Sequence, residues 1–385
     1  MTAEGLEGVV VAETRLSDVD GERGRLVIRG HDVEELAERA DFEAACVLLW
    51  TGELPRQIAH ADVRGPIAHA DVRGANAHED MRRELGRARV RAFARLPALG
   101  DAFETGDGME ALRAALSHLR ASEIPESRLG TELTAAVAVF AAAWARKLRG
   151  SVPVAPDPEL GHAADYLRMA SSHGSDPARS RALDAYLVTA MDHGMNASTF
   201  TARVVASTDS DTVSAVVAAL GALKGPRHGG APGPVLAMLD AIGEPGHAAA
   251  WIAAGLAAGR RIMGMGHRVY RVRDPRAAVL ERAVERLRAT GLRSDRLDLA
   301  RAVERVAVAS LGERRPERRM AANVEFYTAV LLDAIGLPQE LFSPTFAVAR
   351  VAGWLAHIAE QRESSRIIRP SSHYVGPPPE THAAA

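Results

Sequence analysis

Three histidines and one glutamate stand in local settings suited to chemistry, with arginines close to them in the chain. His193 sits in Asp192-His193-Gly194, just ahead of Asn196-Ala197-Ser198-Thr199. His228 lies among small residues in Gly225-Pro226-Arg227-His228-Gly229-Gly230-Ala231-Pro232. His267 opens a basic stretch, Gly264-Met265-Gly266-His267-Arg268-Val269-Tyr270-Arg271-Val272-Arg273-Asp274-Pro275-Arg276. Gly264 and Gly266 allow a tight turn, and Pro275 biases Asp274 toward extended backbone, so the stretch reads as a loop presenting one imidazole and several guanidinium groups. Arginine forks donate paired, coplanar hydrogen bonds to carboxylates and phosphates. Glu325, in Asn323-Val324-Glu325-Phe326-Tyr327, has apolar neighbours that shield it and favour a raised pKa. A carboxylate base with neutral imidazole donors suits removal of a proton next to a carbonyl, a donor stabilising the enolate oxygen. Another histidine then polarises a second carbonyl for carbon–carbon bond formation. The arginines point to a small polycarboxylate and a phosphorylated co-substrate. Each feature alone has a plainer reading: a solvated basic loop, a helix cap, a surface histidine, a solubilising glutamate.

The elements that must carry these residues are helical. Leu183, Tyr186, Leu187, Ala190 and Met191 follow the spacing of a buried helix face. That helix breaks at Asp192-His193-Gly194, and a new one starts near Asn196, whose side chain suits an N-cap. A helix from about Pro232 to Ile242 follows His228; its N-terminus disfavours a protonated imidazole and makes His228 a candidate neutral donor. Asp274 or Pro275 begins the helix after the His267 loop. Arg350 shares a helix face with Phe346, Trp354 and His357, and the neighbouring face carries Val348, Val351, Leu355 and Ile358. A helix apolar nearly all round is buried, and a buried arginine needs an anion, either an internal carboxylate or a substrate. Arg314-Arg315-Pro316-Glu317-Arg318-Arg319 is a solvated loop or a phosphate site, and Arg366 and Arg369-Pro370 add positive charge near the end.

Earlier in the chain, Val9-Val10-Val11 and Leu26-Val27-Ile28 around Asp20-Gly21 predict a small hairpin or an extended arm. Asp32 caps a first helix; a second, through Phe42 and Leu49, stops near Gly52. Ile58 to Gly65 recurs as Ile67 to Gly74; this duplicated octet is expected to be a surface insertion, although His60, Asp62, His69 and Asp71 have metal-ligating side chains. A helix is expected over 131–149, ending at Gly150.

The 385 residues suffice for one large or two smaller domains. Lys+Arg 47 against Asp+Glu 49 gives a net charge of -2, which argues against a dedicated nucleic-acid binder. Cys46 is the only cysteine, so no internal disulfide or thiolate metal cluster forms. Leu133 to Ala145 is too short to span a membrane, and the N-terminus lacks a signal-peptide pattern, so a cytoplasmic protein is expected. There is no HExxH, Walker or Gx-S-xG motif.

Taken together, the motifs resemble the citrate synthase family, close to its short bacterial citrate/2-methylcitrate synthase type. The resemblance starts at Gly5-Leu6-Glu7-Gly8-Val9-Val10, Asp20-Gly21 and Arg29-Gly30 and continues through Gly52-Glu53-Leu54-Pro55. It is carried most specifically by His193 to Phe200, Gly225 to Ala231, Gly266 to Tyr270, Asp274-Pro275-Arg276, Asn323 to Tyr327 and Arg369-Pro370. It is poor over about 56–180. It implies an almost all-α homodimer with a large domain (1–219 and 326–385), an inserted small domain (220–325), and a cleft closing on oxaloacetate. By resemblance His228 stabilises the enolate of acetyl-CoA, His267 polarises and protonates the oxaloacetate carbonyl, and Glu325 is the base. His193, Arg276 and Arg350 hold oxaloacetate with Asn196 nearby, and Arg369 reaches that site from the partner subunit. Arg271 and Arg314, Arg315, Arg318 and Arg319 meet the phosphates of coenzyme A. Thioester hydrolysis completes the reaction with no metal. The family usually has aspartate where this chain has Glu325, which leaves open a slower enzyme, a propionyl-CoA-using 2-methylcitrate synthase, or a non-catalytic binder.

Overall fold

The computed structural model describes residues 4–6, 8–55, 71–171, 174, 176–229, 232–292, 295–314 and 320–377. Near the N-terminus β1 (Ser17–Asp20), β2 (Arg25–Ile28) and β3 (His31–Asp32) form an antiparallel sheet in that order. Ser17 lies opposite Ile28 and Asp20 opposite Arg25. The first strand is thus not Val9–Val11. Both edges of β2 are taken, by β1 and β3, so Val9–Val11 does not pair with Leu26–Ile28, and Val9 and Val10 are exposed.

Fifteen α-helices follow among the described residues. The first seven are α1 (Val33–Arg39), α2 (Phe42–Thr51), α3 (Asp71–Ala94), α4 (Gly108–Ser117), α5 (Leu129–Leu148), α6 (His162–Ala170) and α7 (Pro177–Ala190). Then come α8 (Ala197–Ala206), α9 (Thr212–Lys224), α10 (Pro232–Ile242), α11 (Ala248–Ala257) and α12 (Pro275–Ala289). The last are α13 (Asp295–Arg314), α14 (Val324–Ala334) and α15 (Phe342–Ser364). Their ends follow the local chemistry. Asp32 and Asp41 accept backbone N–H groups at the starts of α1 and α2, and Gly52 closes α2 at a φ of 88°. Of the duplicated octet, 58–65 and 67–70 lie outside the described residues, with His60, Asp62 and His69; residues 71–74 are the first turn of α3.

Two helices form the centre. Every residue from Leu133 to Ala145 in α5 is buried, as is every residue from Ala347 to Ile358 in α15. The apolar run of α5 is therefore core, and no helix among the described residues is long and apolar enough to cross a membrane. Around them pack α3, α4 and α6 on α5, and α7, α8 and α9 on α15. α12 packs on α7, α1 and α14, and α10 on α14. One buried ion pair fastens the proline-bearing segment after α5. Arg89 Nε donates to Asp165 Oδ2 at 2.7 Å, Arg89 Nη2 donates to the Leu160 carbonyl at 2.6 Å, and Asp165 accepts the Asp157 N–H.

Candidate active site

Three chain breaks bring the polar residues together. α7 ends at Ala190, and Asp192-His193-Gly194 separates it from α8. Asp192 is fully buried. It accepts from the Ser17 hydroxyl at 2.5 Å and faces His357 Nε2 at 3.2 Å. Arg203 Nη1 donates to His357 Nδ1 at 2.9 Å, so the His357 proton sits on Nε2 and points at Asp192. α15 can lie this close to the break because residue 353 is glycine: a Cβ there would fall 2.1 Å from the Met191 carbonyl oxygen. Asn196 caps α8, and its side chain is committed there. Its Oδ1 accepts from Ser198 N and Thr199 N, and its Nδ2 donates to Gly194 O and Thr199 Oγ1. Asn196 acts on the site by fixing the start of α8.

The second break, 258–274, is stitched to the segment before α14. Gly266 N donates to Ala321 O at 2.7 Å, Asn323 N to Gly264 O at 2.9 Å, and Asn323 Nδ2 to Gly266 O at 2.9 Å. These bonds fix His267 relative to Glu325. Nδ1 of His267 accepts the backbone N–H groups of Val269 and Tyr270 at 3.0 and 3.2 Å, so its proton is on Nε2. Nε2 in turn faces Arg276 Nη2 at 3.5 Å. Two donors thus face each other with no acceptor from the described residues between them. Arg276 is buried and forks onto Asp274, Nε to Oδ1 at 3.0 Å and Nη2 to Oδ2 at 2.8 Å. Burial opposes the Arg276 charge, and Asp274 outweighs it, so the guanidinium stays charged. His193 meets the same place from the other side. Its ring centroid is 5.6 Å from that of His267, and its Nε2 is 3.1 Å from the Tyr270 hydroxyl. Burial, with Arg276 and Arg350 nearby, holds His193 well below the usual imidazole range.

Arg350 lies near His193 and Arg276. It is 1% exposed, its Nε donates to Ala190 O at 2.7 Å, and its Nη2 is buried with no partner. Its guanidinium lies over the Phe346 ring at 4.8 Å. Burial lowers its pKa to about 10, even with the Asp192 charge nearby. A buried guanidinium with an unused donor is costly unless an anion reaches it. His228 precedes α10, and its Nε2 is 2.8 Å from Ser198 Oγ, which also accepts from Trp354 Nε1. Burial lowers the His228 pKa to about 4, helped by Arg350, so the ring is neutral; the cause is desolvation and a neighbouring charge, where the sequence pointed to the α10 terminus. His267 is lowered to about 4 as well, by burial and then Arg276. Glu325 stands in the first turn of α14, where Asn323 Oδ1 caps its N–H at 3.1 Å. Burial pushes its carboxyl up to about 7, against the opposing pull of Arg276.

Among the described residues, the other arginines assigned to ligands from the sequence, Arg271, Arg314 and Arg369, are exposed. Arg271 is exposed, 3.9 Å from Glu22, and its N–H donates to Gly21 O. Arg314 ends α13 and donates to Leu256 O at 2.8 Å. Arg315, Arg318 and Arg319 lie outside the described residues. Arg369 is exposed on the segment after α15. Sequence reasoning missed Tyr270, Asp274 as the Arg276 partner, and Ser198 as the His228 partner. The Asp-Pro-Arg step was the available signal for Asp274; nothing in the sequence pairs Ser198 with a residue thirty positions away.

The family profile for the citrate synthase C-terminal domain matches residues 5–371. The chain belongs to the citrate synthase family. Family members transfer an acyl group. The chain is 38% identical to the citrate synthase of Haloferax volcanii over 97% of its own length and 95% of the relative's. It is 35% identical to the 2-methylcitrate synthase of Mycobacterium tuberculosis over 97% and 90% of the two lengths. Among solved structures, citrate synthase from Thermoplasma acidophilum in ternary complex with carboxymethyl coenzyme A and oxaloacetate superimposes with a TM-score of 0.82 at 26% identity, covering 100% of this chain and 98% of that one. The all-α architecture is that of these family members.

Proposed function

We propose that the chain is a citrate synthase, condensing acetyl-CoA with oxaloacetate and hydrolysing the citryl thioester to citrate and CoA. The observation that carries this reading is the unpartnered, buried Arg350 Nη2 beside Arg276, His193 and His267. Two guanidinium groups, with the Asp274 carboxylate on only one of them, suit a dicarboxylate. The His267 Nε2–H meets the keto oxygen between them, polarises it and protonates it on attack. Glu325, with a carboxyl near neutrality, removes the methyl proton of acetyl-CoA, a match of pKa to working pH that general-base catalysis favours. The Ser198 hydroxyl donates to Asn196 Oδ1 at 2.8 Å; once it turns instead to Nε2 of neutral His228, Nδ1 carries the proton and donates to the enolate oxygen. The near-neutral Glu325 favours turnover over mere binding.

The same reading extends to parts outside the cluster. Residues 220–325 form the smaller unit and 1–219 with 326–385 the larger, meeting where α12 packs on α7 and α1 and closing on oxaloacetate. The chain works in the cytoplasm as a homodimer. Exposed Ile367, Tyr374 and Val375 on the segment after α15 suit contact with a second copy, to whose site Arg369 is delivered. Arg271, Arg314, Arg315, Arg318 and Arg319 take the coenzyme A phosphates. No metal or permanently bound cofactor takes part.

The test is free thiol release from acetyl-CoA and from propionyl-CoA, each with and without oxaloacetate. Oxaloacetate-dependent release is expected, with acetyl-CoA preferred. One methylene is worth about 10–200-fold in an apolar pocket, so the preference is measurable in either direction. Preference for propionyl-CoA makes the chain a 2-methylcitrate synthase; no release, or release independent of oxaloacetate, overturns the proposal.

A further inference from the structure

The N-terminal hairpin has no role in the chemistry so far, yet it touches both histidine-bearing segments of the oxaloacetate site. At one end of β1, Ser17 donates its hydroxyl to Asp192 Oδ2 at 2.5 Å and accepts the Gly194 N–H at 3.0 Å. One side chain thus grips the residue before His193 and the residue after it. Just past the other end of β1, Gly21 O accepts the Arg271 N–H at 2.9 Å. Gly21 also lies so close to the His267 loop that a Cβ would fall 2.3 Å from Val269 O. Val269 and Tyr270 are the residues whose N–H groups hold His267 Nδ1. The Tyr270 hydroxyl meets His193 Nε2, which closes a ring of contacts from hairpin to His193, to Tyr270 and back to the hairpin.

The hairpin is stiff enough to set a distance. Leu16, Leu26 and Ile28 are at most 1% exposed, and β1 is paired along its length with β2. Four residues of strand span roughly 13 Å at about 3.3 Å each, so β1 is a spacer between the two loops.

We propose that this hairpin is a brace that holds His193 and His267 in register for oxaloacetate, with Ser17 and Gly21 as positioning residues that touch no substrate. The proposal rests on the assignment of His193 and His267 to the oxaloacetate site. It also makes the hairpin a link between the two units named above, since it joins residues 192–194 to 269–271.

The experiment compares wild type with Ser17→Ala, Ser17→Thr and Gly21→Ala. It measures KM for oxaloacetate and for acetyl-CoA, kcat, the thermal midpoint, and oxaloacetate binding by calorimetry without acyl-CoA. Ser17→Ala is expected to weaken oxaloacetate binding about tenfold, as loss of a hydrogen bond to a charged group does. Its KM for acetyl-CoA should stay within about twofold, and Ser17→Thr, which keeps the hydroxyl, should recover most of the loss. In Gly21→Ala the new Cβ must draw back by about 1 Å to reach an ordinary contact, and a shift of that size in a catalytic group costs on the order of 100-fold in kcat/KM. Unchanged oxaloacetate binding in Ser17→Ala overturns the brace. So does a parallel loss for both substrates together with a lowered thermal midpoint and no rescue by threonine, which marks a merely structural residue. Wild-type protein that fails to bind oxaloacetate overturns the site assignment and the brace with it, and that failure is visible before any variant is made.

Discussion

Replacing Glu325 by Gln tests the acid–base assignment most directly. Gln keeps the length and shape of the side chain but cannot accept a proton from carbon. Three titratable groups of the site have pKa values that assign them to different pH ranges. His228 and His267 lie at about 4, so both are neutral throughout pH 5 to 8. Glu325 lies at about 7, because burial penalises its charge. The base must be deprotonated to act, so wild-type kcat/KM for acetyl-CoA should fall about tenfold per pH unit below pH 7 and level off above it. Glu325→Gln should lose roughly 100- to 10,000-fold in kcat, the usual worth of a general base, and should also lose the limb near pH 7. Its fold should not suffer. The folded-state pKa of Glu325 is raised from 4.5, so the protonated carboxyl favours folding at low pH and that contribution is lost as pH rises through 7. Gln mimics the neutral form and escapes this loss, so at pH 8 the variant should unfold no more easily than wild type. The assay is thiol release at saturating oxaloacetate across pH 5 to 9, with urea unfolding at pH 8. A Glu325→Gln enzyme within tenfold of wild type, or one that keeps the same acidic limb, refutes the reasoning.

Arg350→Met should abolish oxaloacetate binding, measured by calorimetry, without lowering the thermal midpoint. It removes a buried charge whose pKa is depressed to about 10 from 12.5, a folding penalty on the order of 3 kcal/mol that offsets the lost bond to Ala190. Gly353→Ala should destabilise the fold by about 1–3 kcal/mol in urea and weaken oxaloacetate binding, since its Cβ would stand 2.1 Å from Met191 O and push on the segment carrying His193. Asp165→Ala, far from the chemistry, should cost about 3–5 kcal/mol in the same assay by leaving the fully buried Arg89 uncompensated, while KM for oxaloacetate in the surviving folded protein stays unchanged.

What the sequence by itself determined is local. Caps, prolines and apolar spacing announced α1, α2, α7, α10, α12 and α15 because those signals act within a turn or two of helix. Arg350 was legible as a buried arginine because its own helix is apolar all round, and Glu325 as a shielded carboxyl because its neighbours in the chain are apolar. The first strand was misplaced for the complementary reason. Strand pairing is decided by which edges are free, and Val9–Val11 lost that competition to β1 and β3. Tertiary structure alone decided which partners the site residues have. Asn196 is spent on its cap, Ser198 holds His228 across thirty residues, and His357 and Ser17 hold Asp192 from opposite ends of the chain. It also decided why the histidines are neutral. Their depressed pKa values come from burial between helices and from Arg276 and Arg350, charges that only folding brings near. Propensity and capping are written in short stretches of chain, whereas desolvation and charge proximity belong to the assembled fold.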